Sequence, residues 1–374
     1  MADQQWRVLL ACDFFLRYTS MLAGGLSRAG ASVALLSRDH EEEFGGRPGA
    51  AAEFVAAAAG PAVRRSAITG RVRSPVALGG ALRARRDLRG FGADVVHLQE
   101  SIGNDLRLIY ASGARPRRFA LTIHDPVRHP GDDASRSSTV GNRWLIRAAG
   151  LIFVHGAALR DELAEVARPE APIVVVPHGV DPVASEPRPL PSRPSILFFG
   201  RLGHYKGIDV LLDAMAVIWA EQPQAALTIA GAGELPDHPA LADPRVELRH
   251  EHVPDAELPE LFAAATCVVL PYRQASQSGV GALAKRYGRG LVVSAVGGLP
   301  ELVADGSGLT VPAEDPVALA RGLLGPLGDR SLAERLGRAG HRTAVAGADW
   351  DSVAATTLAA YEEHLLVPRR VGGR

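Results

Sequence analysis

Short apolar runs alternate with amphipathic stretches along the chain. Arg7–Cys12, Ser32–Leu36, Asp94–Leu98, Phe119–Ile123, Leu151–His155 and Ile173–Pro177 read as strands. Each is short, mostly rich in Val, Ile or Leu, and bounded by Gly, Pro or polar residues. Thr19–Ala29, between the first two, has helical spacing. Runs apolar on both faces fit a parallel sheet covered by helices. The alternation predicts a doubly wound α/β domain. Asp181–Pro194 then carries five prolines in fourteen residues and reads as a stiff interdomain linker. The pattern restarts with a strand at Ser195–Phe199 and a helix over Ile208–Gln222. Further strands are expected at Ala226–Ala230, Val246–Arg249, Cys267–Leu270 and Leu291–Ser294. A last helix is expected over Asp351–Leu365, with Asp351 as its cap. The expected organisation is two Rossmann-like α/β domains facing each other across a cleft, residues 1–183 and 184–345. Residues 346–374 would form a helix crossing back onto the first. In such folds ligands bind at the carboxyl ends of the strands.

Composition narrows this picture. With 374 residues, 47% of them hydrophobic, each half can bury its own core. A net charge of zero argues against a nucleic-acid partner, which calls for a strongly basic domain. No run of about 18 apolar residues and no charged-then-apolar leader is visible, so a soluble, cytoplasmic protein is expected. Cys12 and Cys267, far apart in apolar runs, read as small buried hydrophobes. The only lysines are Lys206 and Lys285, against 39 arginines, which draws attention to the compact charge of each. Arg64–Arg89 holds eight arginines and one acid, Asp87. This is a solvated face or, alternatively, a surface for a phosphorylated acceptor or for weak peripheral contact with anionic lipid.

The candidate chemistry lies at strand ends. In Ile196–Gly207 an apolar strand ends at Gly200, Arg201 and Lys206 follow, and a helix begins near Ile208. A strand, a Gly turn and a helix start present free amides and the positive helix end to an anion. Two cations add charge-assisted bonds. In Leu270–Gly290, a small polar loop leads to a helix near Val280, placing the amides of Ser278, Gly279 and Val280 at a helix N-terminus. Gln274 in that loop can hydrogen-bond neutral hydroxyls. Val296–Glu301 is a third Gly-rich strand end, with a carboxylate. His97, His155 and His178 read as packed or backbone-bonded histidines. His124 is the functional candidate, and His129 on the following loop is expected to meet an acceptor.

These segments resemble the large retaining glycosyltransferase family 4 of bacterial enzymes, with the two-domain GT-B fold. The resemblance rests on GRLGHYKGIDVLLDA, LTIAGAGE, VPDAELPELFAAATCVVLPY, SQSGV and VGGLPELV, which cover most of Ser195–Ala304. It rests more loosely on DVVHLQ, LTIHDP, LIFVHG and VVVPHGVD. It implies that Arg201 and Lys206 hold the donor diphosphate and that Gly200, Ser278, Gly279, Val280 and Glu301 line the donor site. Gln274 stands where the family has the first glutamate of its E-x7-E motif. His124 matches the histidine that approaches the donor sugar, and Arg17, Tyr18 and His129 fall on the acceptor side. Three departures stand out. The second motif glutamate is absent, with Ala282 and Leu283 in its place. The Gly-Gly turn after the first strand is replaced by Asp13–Tyr18, and the proline before Leu291 is Gly290.

The implied reaction is transfer of a sugar from a nucleoside diphosphate donor, UDP by default, to an acceptor alcohol with retention. The acceptor class stays open among a polysaccharide precursor, a glycolipid and a secondary metabolite. No Asp-x-Asp arrangement suggests a metal at this site, so cations are expected to take its place at the leaving group, with no cofactor. Two other readings remain: a nucleotide-sugar epimerase of the same fold, and a degenerate nucleotide-sugar-binding protein.

Overall fold

The computed structural model describes residues 5–13, 15–38, 41–44, 46–68, 75–99, 118–124, 137–179, 186–275, 278–347 and 349–366. The chain divides into two compact units, the first running to Gly179 and resuming at Trp350, the second ending at Asp349.

The first unit contains β1 (Arg7–Cys12), α1 (Leu16–Arg28), β2 (Ser32–Arg38), α2 (Ala50–Ala59), β3 (Arg64–Ile68) and α3 (Pro75–Leu88). It continues with β4 (Val95–Gln99), β5 (Phe119–Thr122), α4 (Ser137–Ala148), β6 (Leu151–Val154), α5 (Ala157–Ala167) and β7 (Ile173–Val175). The strands form one sheet in the order β3-β2-β1-β4-β5-β6-β7, all parallel. Successive residues of β1 serve opposite faces. Val8, Leu10 and Cys12 join a core with Leu22 and Leu26 of α1, whereas Leu9 and Ala11 join one with Ala77 and Ala81 of α3. A sheet buried on both sides follows from this alternation of apolar side chains.

The second unit contains β8 (Ser195–Phe199), α6 (Ile208–Glu221), β9 (Ala226–Ala230), β10 (Val246–Arg249), α7 (Leu258–Ala263) and β11 (Cys267–Leu270). It ends with α8 (Gly279–Arg286), β12 (Gly290–Ser294), α9 (Leu299–Leu302), β13 (Gly308–Val311), α10 (Pro316–Gly328) and α11 (Arg330–Gly347). Its parallel sheet has the order β10-β9-β8-β11-β12-β13. The strand order reverses direction between β8 and β11, so the loops after these two strands are neighbours at the switch point.

The last helix, α12 (Trp350–Leu365), packs on α1 within the first unit. Trp350, Val353, Tyr361 and Leu365 enter the core that holds Trp6 and Leu22. Asp351 is not the cap expected of it. The helix starts one residue earlier, and the Asp351 carboxylate pairs with Arg28 at 2.7 Å. The expected helix Thr19–Ala29 likewise starts earlier, at Leu16.

The end of the proline-rich stretch is fastened to the second unit. Prolines have no N–H, and here arginines supply the donors their carbonyl-lined segment requires. Arg289, 1% exposed, donates to the carbonyls of Arg188 and Pro189 at 2.9 and 3.3 Å and to Phe262 at 2.7 Å. Arg330 takes Leu190 and Pro191 at 2.9 and 3.0 Å. Burial lowers the Arg289 pKa to about 10. Both cysteines are buried. Burial pushes the Cys12 thiol well up and that of Cys267 up to about 12.

Candidate functional site

The loop after β8 is shaped by close backbone approaches. The amides of Gly200 and Leu202 donate to the carbonyls of Ala230 and Ala232 at 3.0 and 2.8 Å, which draws this loop along the one after β9. A Cβ on Gly231 would lie 1.8 Å from the Gly200 oxygen, so only glycine fits. A single 3-10 turn, His204–Lys206, then leads through Gly207 into α6. Gly207 has φ of 65°, and a Cβ there would lie 2.0 Å from the Pro271 oxygen. The loops after β8 and β11 therefore touch, and the Arg273 amide donates to the Tyr205 carbonyl at 2.9 Å.

Both candidate cations rest on aromatic faces in this contact. The Lys206 ammonium lies 3.7 Å from the ring centroid of Tyr272 and 5.0 Å from that of Tyr205. Arg201, exposed, reaches the Tyr205 hydroxyl at 3.4 Å. Such contacts hold a cation in place without neutralising it. Tyr272 is fully buried, and burial pushes its phenol well up. The other lysine, Lys285, is paired with Asp305 at 2.9 Å.

The N-terminus of α8 completes this cluster. Ser278 caps it, its hydroxyl accepting from the Gly281 amide at 3.3 Å. Gly279 is exposed, and nothing lies within 4 Å of where its Cβ would stand. A Cβ on Gly200 would meet the Val280 side chain at 3.1 Å, so Gly200 and Val280 adjoin. The exposed Glu301 sits on α9, whose Leu302 packs against Gly281 in the first turn of α8. Gln274 is exposed beside Arg273. Gly200, Arg201, Lys206, Ser278, Gly279 and Val280 thus gather at one switch point.

The first unit holds a different kind of cluster. His97 Nδ1 meets the Tyr361 hydroxyl at 2.6 Å, and its Nε2 meets Thr122 Oγ1 at 2.7 Å. The Gln99 amide lies between His97 and His124, 3.1 Å from His124 Nε2. His124 Nδ1 is 3.1 Å from His155 Nε2, and His155 Nδ1 is 3.0 Å from the Val176 carbonyl oxygen. The carbonyl fixes the protons. His155 must donate from Nδ1, so its Nε2 accepts, and His124 must donate from Nδ1. His124 Nε2 then carries a lone pair facing Gln99 Oε1 at 3.1 Å, so this tautomer requires the Gln99 amide to be turned with its N–H toward the ring. Burial holds His124 neutral, its pKa well below the ordinary value, and neighbouring histidines add to this.

Both ring nitrogens of His124 are thus engaged inside the unit. Its ring also stacks under Phe15 at 3.9 Å between centroids, and Phe15 has a left-handed φ of 61°. Tyr18 is buried and touches the rings of His124, His155, His178 and Trp350. Arg17 is half-buried over the Phe54 ring at 4.5 Å. His129 lies outside the described residues. Sequence reasoning missed Glu43, whose carboxylate accepts from the amides of Leu16 and Arg17 at 3.0 and 2.9 Å and so occupies the start of α1. Among the described residues, no group of three or more His, Cys, Asp or Glu is placed to hold a metal ion. No described helix is long and apolar enough to cross a membrane.

Two parallel doubly wound units with these strand orders define the GT-B class. The profile described as Glycosyltransferase Family 4 matches residues 17–183, and that described as Glycosyl transferases group 1 matches residues 193–329. A D-inositol 3-phosphate glycosyltransferase of Frankia alni is 31% identical over 69% of this chain and 68% of its own length. A glycogen synthase of Mycobacterium tuberculosis is 30% identical over 64% of this chain, and the match spans 62% of that relative's length. Among solved structures, sucrose-phosphate synthase from Thermosynechococcus elongatus superposes with a TM-score of 0.72 at 19% identity, covering 96% of this chain and 99% of that one. Anabaena HepE in complex with UDP and glucose gives 0.71 at 17% identity, covering 96% and 100%. The chain belongs to glycosyltransferase family 4.

Proposed function

We propose that this protein transfers a sugar from a nucleoside diphosphate donor, with UDP as the nucleotide, to an acceptor hydroxyl with retention of configuration and without a metal ion. The observation that carries this reading is the gathering of Arg201, Lys206 and the amide end of α8 at the β8/β11 switch point. The presence of UDP in the similarly folded HepE supports the choice of nucleotide. Glycosyl transfer breaks the bond between the anomeric carbon and the phosphate oxygen. The acceptor oxygen bonds that carbon on the same face, and its proton passes to the departing phosphate oxygen. Negative charge grows on the diphosphate, and two preoriented cations stabilise it. Gln274 offers both donor and acceptor atoms to sugar hydroxyls. His124, neutral and hydrogen-bonded at both ring nitrogens, serves as an ordered polar end of its network. The names of the relatives, for glycogen and inositol 3-phosphate, favour a carbohydrate or cyclitol hydroxyl as acceptor.

The test is release of UDP from UDP-glucose, with and without an acceptor mixture. Arg201→Ala and Lys206→Ala should each lose about 10²–10³ in turnover while remaining folded. Near-normal turnover in either variant would remove that residue from the site. Binding without turnover under all conditions would leave a sugar-nucleotide-binding protein. An epimerase requires carboxylates beside the sugar, and Gln274 is an amide. A shallow contact with anionic lipid is proposed for α3, where Val76 and Leu82 are 58% and 51% exposed beside Arg83 and Arg86. Equal sedimentation with anionic and neutral vesicles would rule it out.

A further inference from the structure

We infer that Arg273 is a positioning residue: it holds the turn that carries Lys206 and so sets where the ammonium meets the donor diphosphate. This rests on the donor site proposed above. The Arg273 guanidinium spends four of its N–H groups on three neighbouring segments. Nη1 donates to the His204 carbonyl and to Asp209 Oδ1, both at 2.8 Å. Nη2 donates to Asp209 Oδ2 at 2.7 Å, and Nε donates to Glu314 Oε1 at 2.7 Å. Its backbone amide adds the bond to the Tyr205 carbonyl at 2.9 Å.

The partners bracket Lys206. His204 and Tyr205 precede it in the 3-10 turn, and Asp209 follows it in the first turn of α6. Tyr272, whose ring lies under the Lys206 ammonium, is the residue before Arg273. The turn enters α6 through Gly207, which has no side chain to cap the helix. Glu314, the third partner, stands in the left-handed region at φ of 55°, immediately before Asp315 caps α10. Arg273 thus ties the turn that carries Lys206 to two helix starts.

Only a planar fork can do this. A lysine at position 273 would keep the charge but could not grip Asp209 with two parallel bonds while reaching Glu314 and the His204 carbonyl. The sequence hid the arrangement because its contacts join residues 41 to 69 positions apart.

The test is a double-mutant cycle read by calorimetric binding of UDP to the full chain. The four proteins are wild type, Arg273→Lys, Lys206→Ala and the double variant, each with its thermal midpoint. Arg273→Lys should weaken UDP roughly tenfold in the presence of Lys206, within the range for residues in one network. In the Lys206→Ala background the same change should cost nothing further in affinity. Its effect on the thermal midpoint should be the same in both backgrounds. Should Arg273→Lys unfold, Glu314→Ala removes one arm alone and should give a smaller loss with the same dependence on Lys206. Equal weakening in both backgrounds overturns the inference, because Arg273 would then act independently of Lys206. So does unchanged affinity in the presence of Lys206. If Lys206→Ala binds UDP as tightly as wild type, the donor-site reading itself falls and the positioning role with it.

Discussion

Acidification should unfold the first unit for a reason visible in its core. His97 is 1% exposed and His124 is 8% exposed. Burial, with neighbouring histidines, lowers both pKa values, that of His97 from 6.5 to about 3. The groups around His124 are His155, Gln99, Phe15 and Tyr18, none of them a carboxylate that could offset a positive charge. In the unfolded chain each imidazole regains its ordinary pKa and binds a proton below 6.5. The folded protein does not, so the unfolded state binds more protons as pH falls. The stabilisation is therefore complete above about 6.5 and is lost progressively below it. Between pH 7 and 5.5 each such histidine forfeits about 1.3 kcal/mol, and the pair about 2.5 kcal/mol. Urea unfolding followed by tryptophan emission measures this. With Trp219→Phe as background, the remaining tryptophans, Trp6, Trp144 and Trp350, all report on the first unit. His97→Gln should remove about 1.3 kcal/mol of the pH dependence between pH 7 and 5.5. Constant stability across that range, or an unchanged slope in His97→Gln, would refute the reasoning.

Three further outcomes are expected. Gly207→Ala should lower the thermal midpoint and weaken UDP binding, because a left-handed residue with a Cβ costs about 1–2 kcal/mol and the new atom would press on Pro271; calorimetry on the folded variant checks this. Gln274→Glu should change the ranking of donor sugars by kcat/KM without abolishing turnover, since a carboxylate offers acceptors only; identical ratios would show that the side chain does not face the sugar. Turnover should survive chelation by EDTA, because Arg201 and Lys206 are assigned the leaving-group charge; loss restored by Mg²⁺ would reassign it.

Much of the fold was legible because a buried parallel sheet writes itself as apolar runs. Two strands escaped this reading. β3 carries Arg64 and Arg65, and β13 opens on Gly308, so neither looks like a buried run, and both lie at sheet edges. The loops after β8 and β11 were legible for a local reason: glycine, cation and helix start follow one another within a few residues. What could not be read were bonds between distant positions. Glu43 reaches α1 from 26 and 27 residues away, and the bond from Tyr361 to His97 joins residues 264 positions apart. Asp351 misled because an acid after an aromatic resembles a cap, whereas its carboxylate serves Arg28 instead.

The return of α12 to the first unit has a consequence for the order in which the molecule can be made. Tyr361 bonds His97 and packs on Trp6, and Trp350 packs on Tyr18. These contacts close a core whose other side chains leave the ribosome before the whole second sheet is made. Domains generally fold as units during synthesis, and long-range contacts wait for both partners. The second unit, continuous through its sheet, can finish as soon as α11 emerges. The half translated first must therefore be completed last, holding an open place along α1 until its final helix arrives.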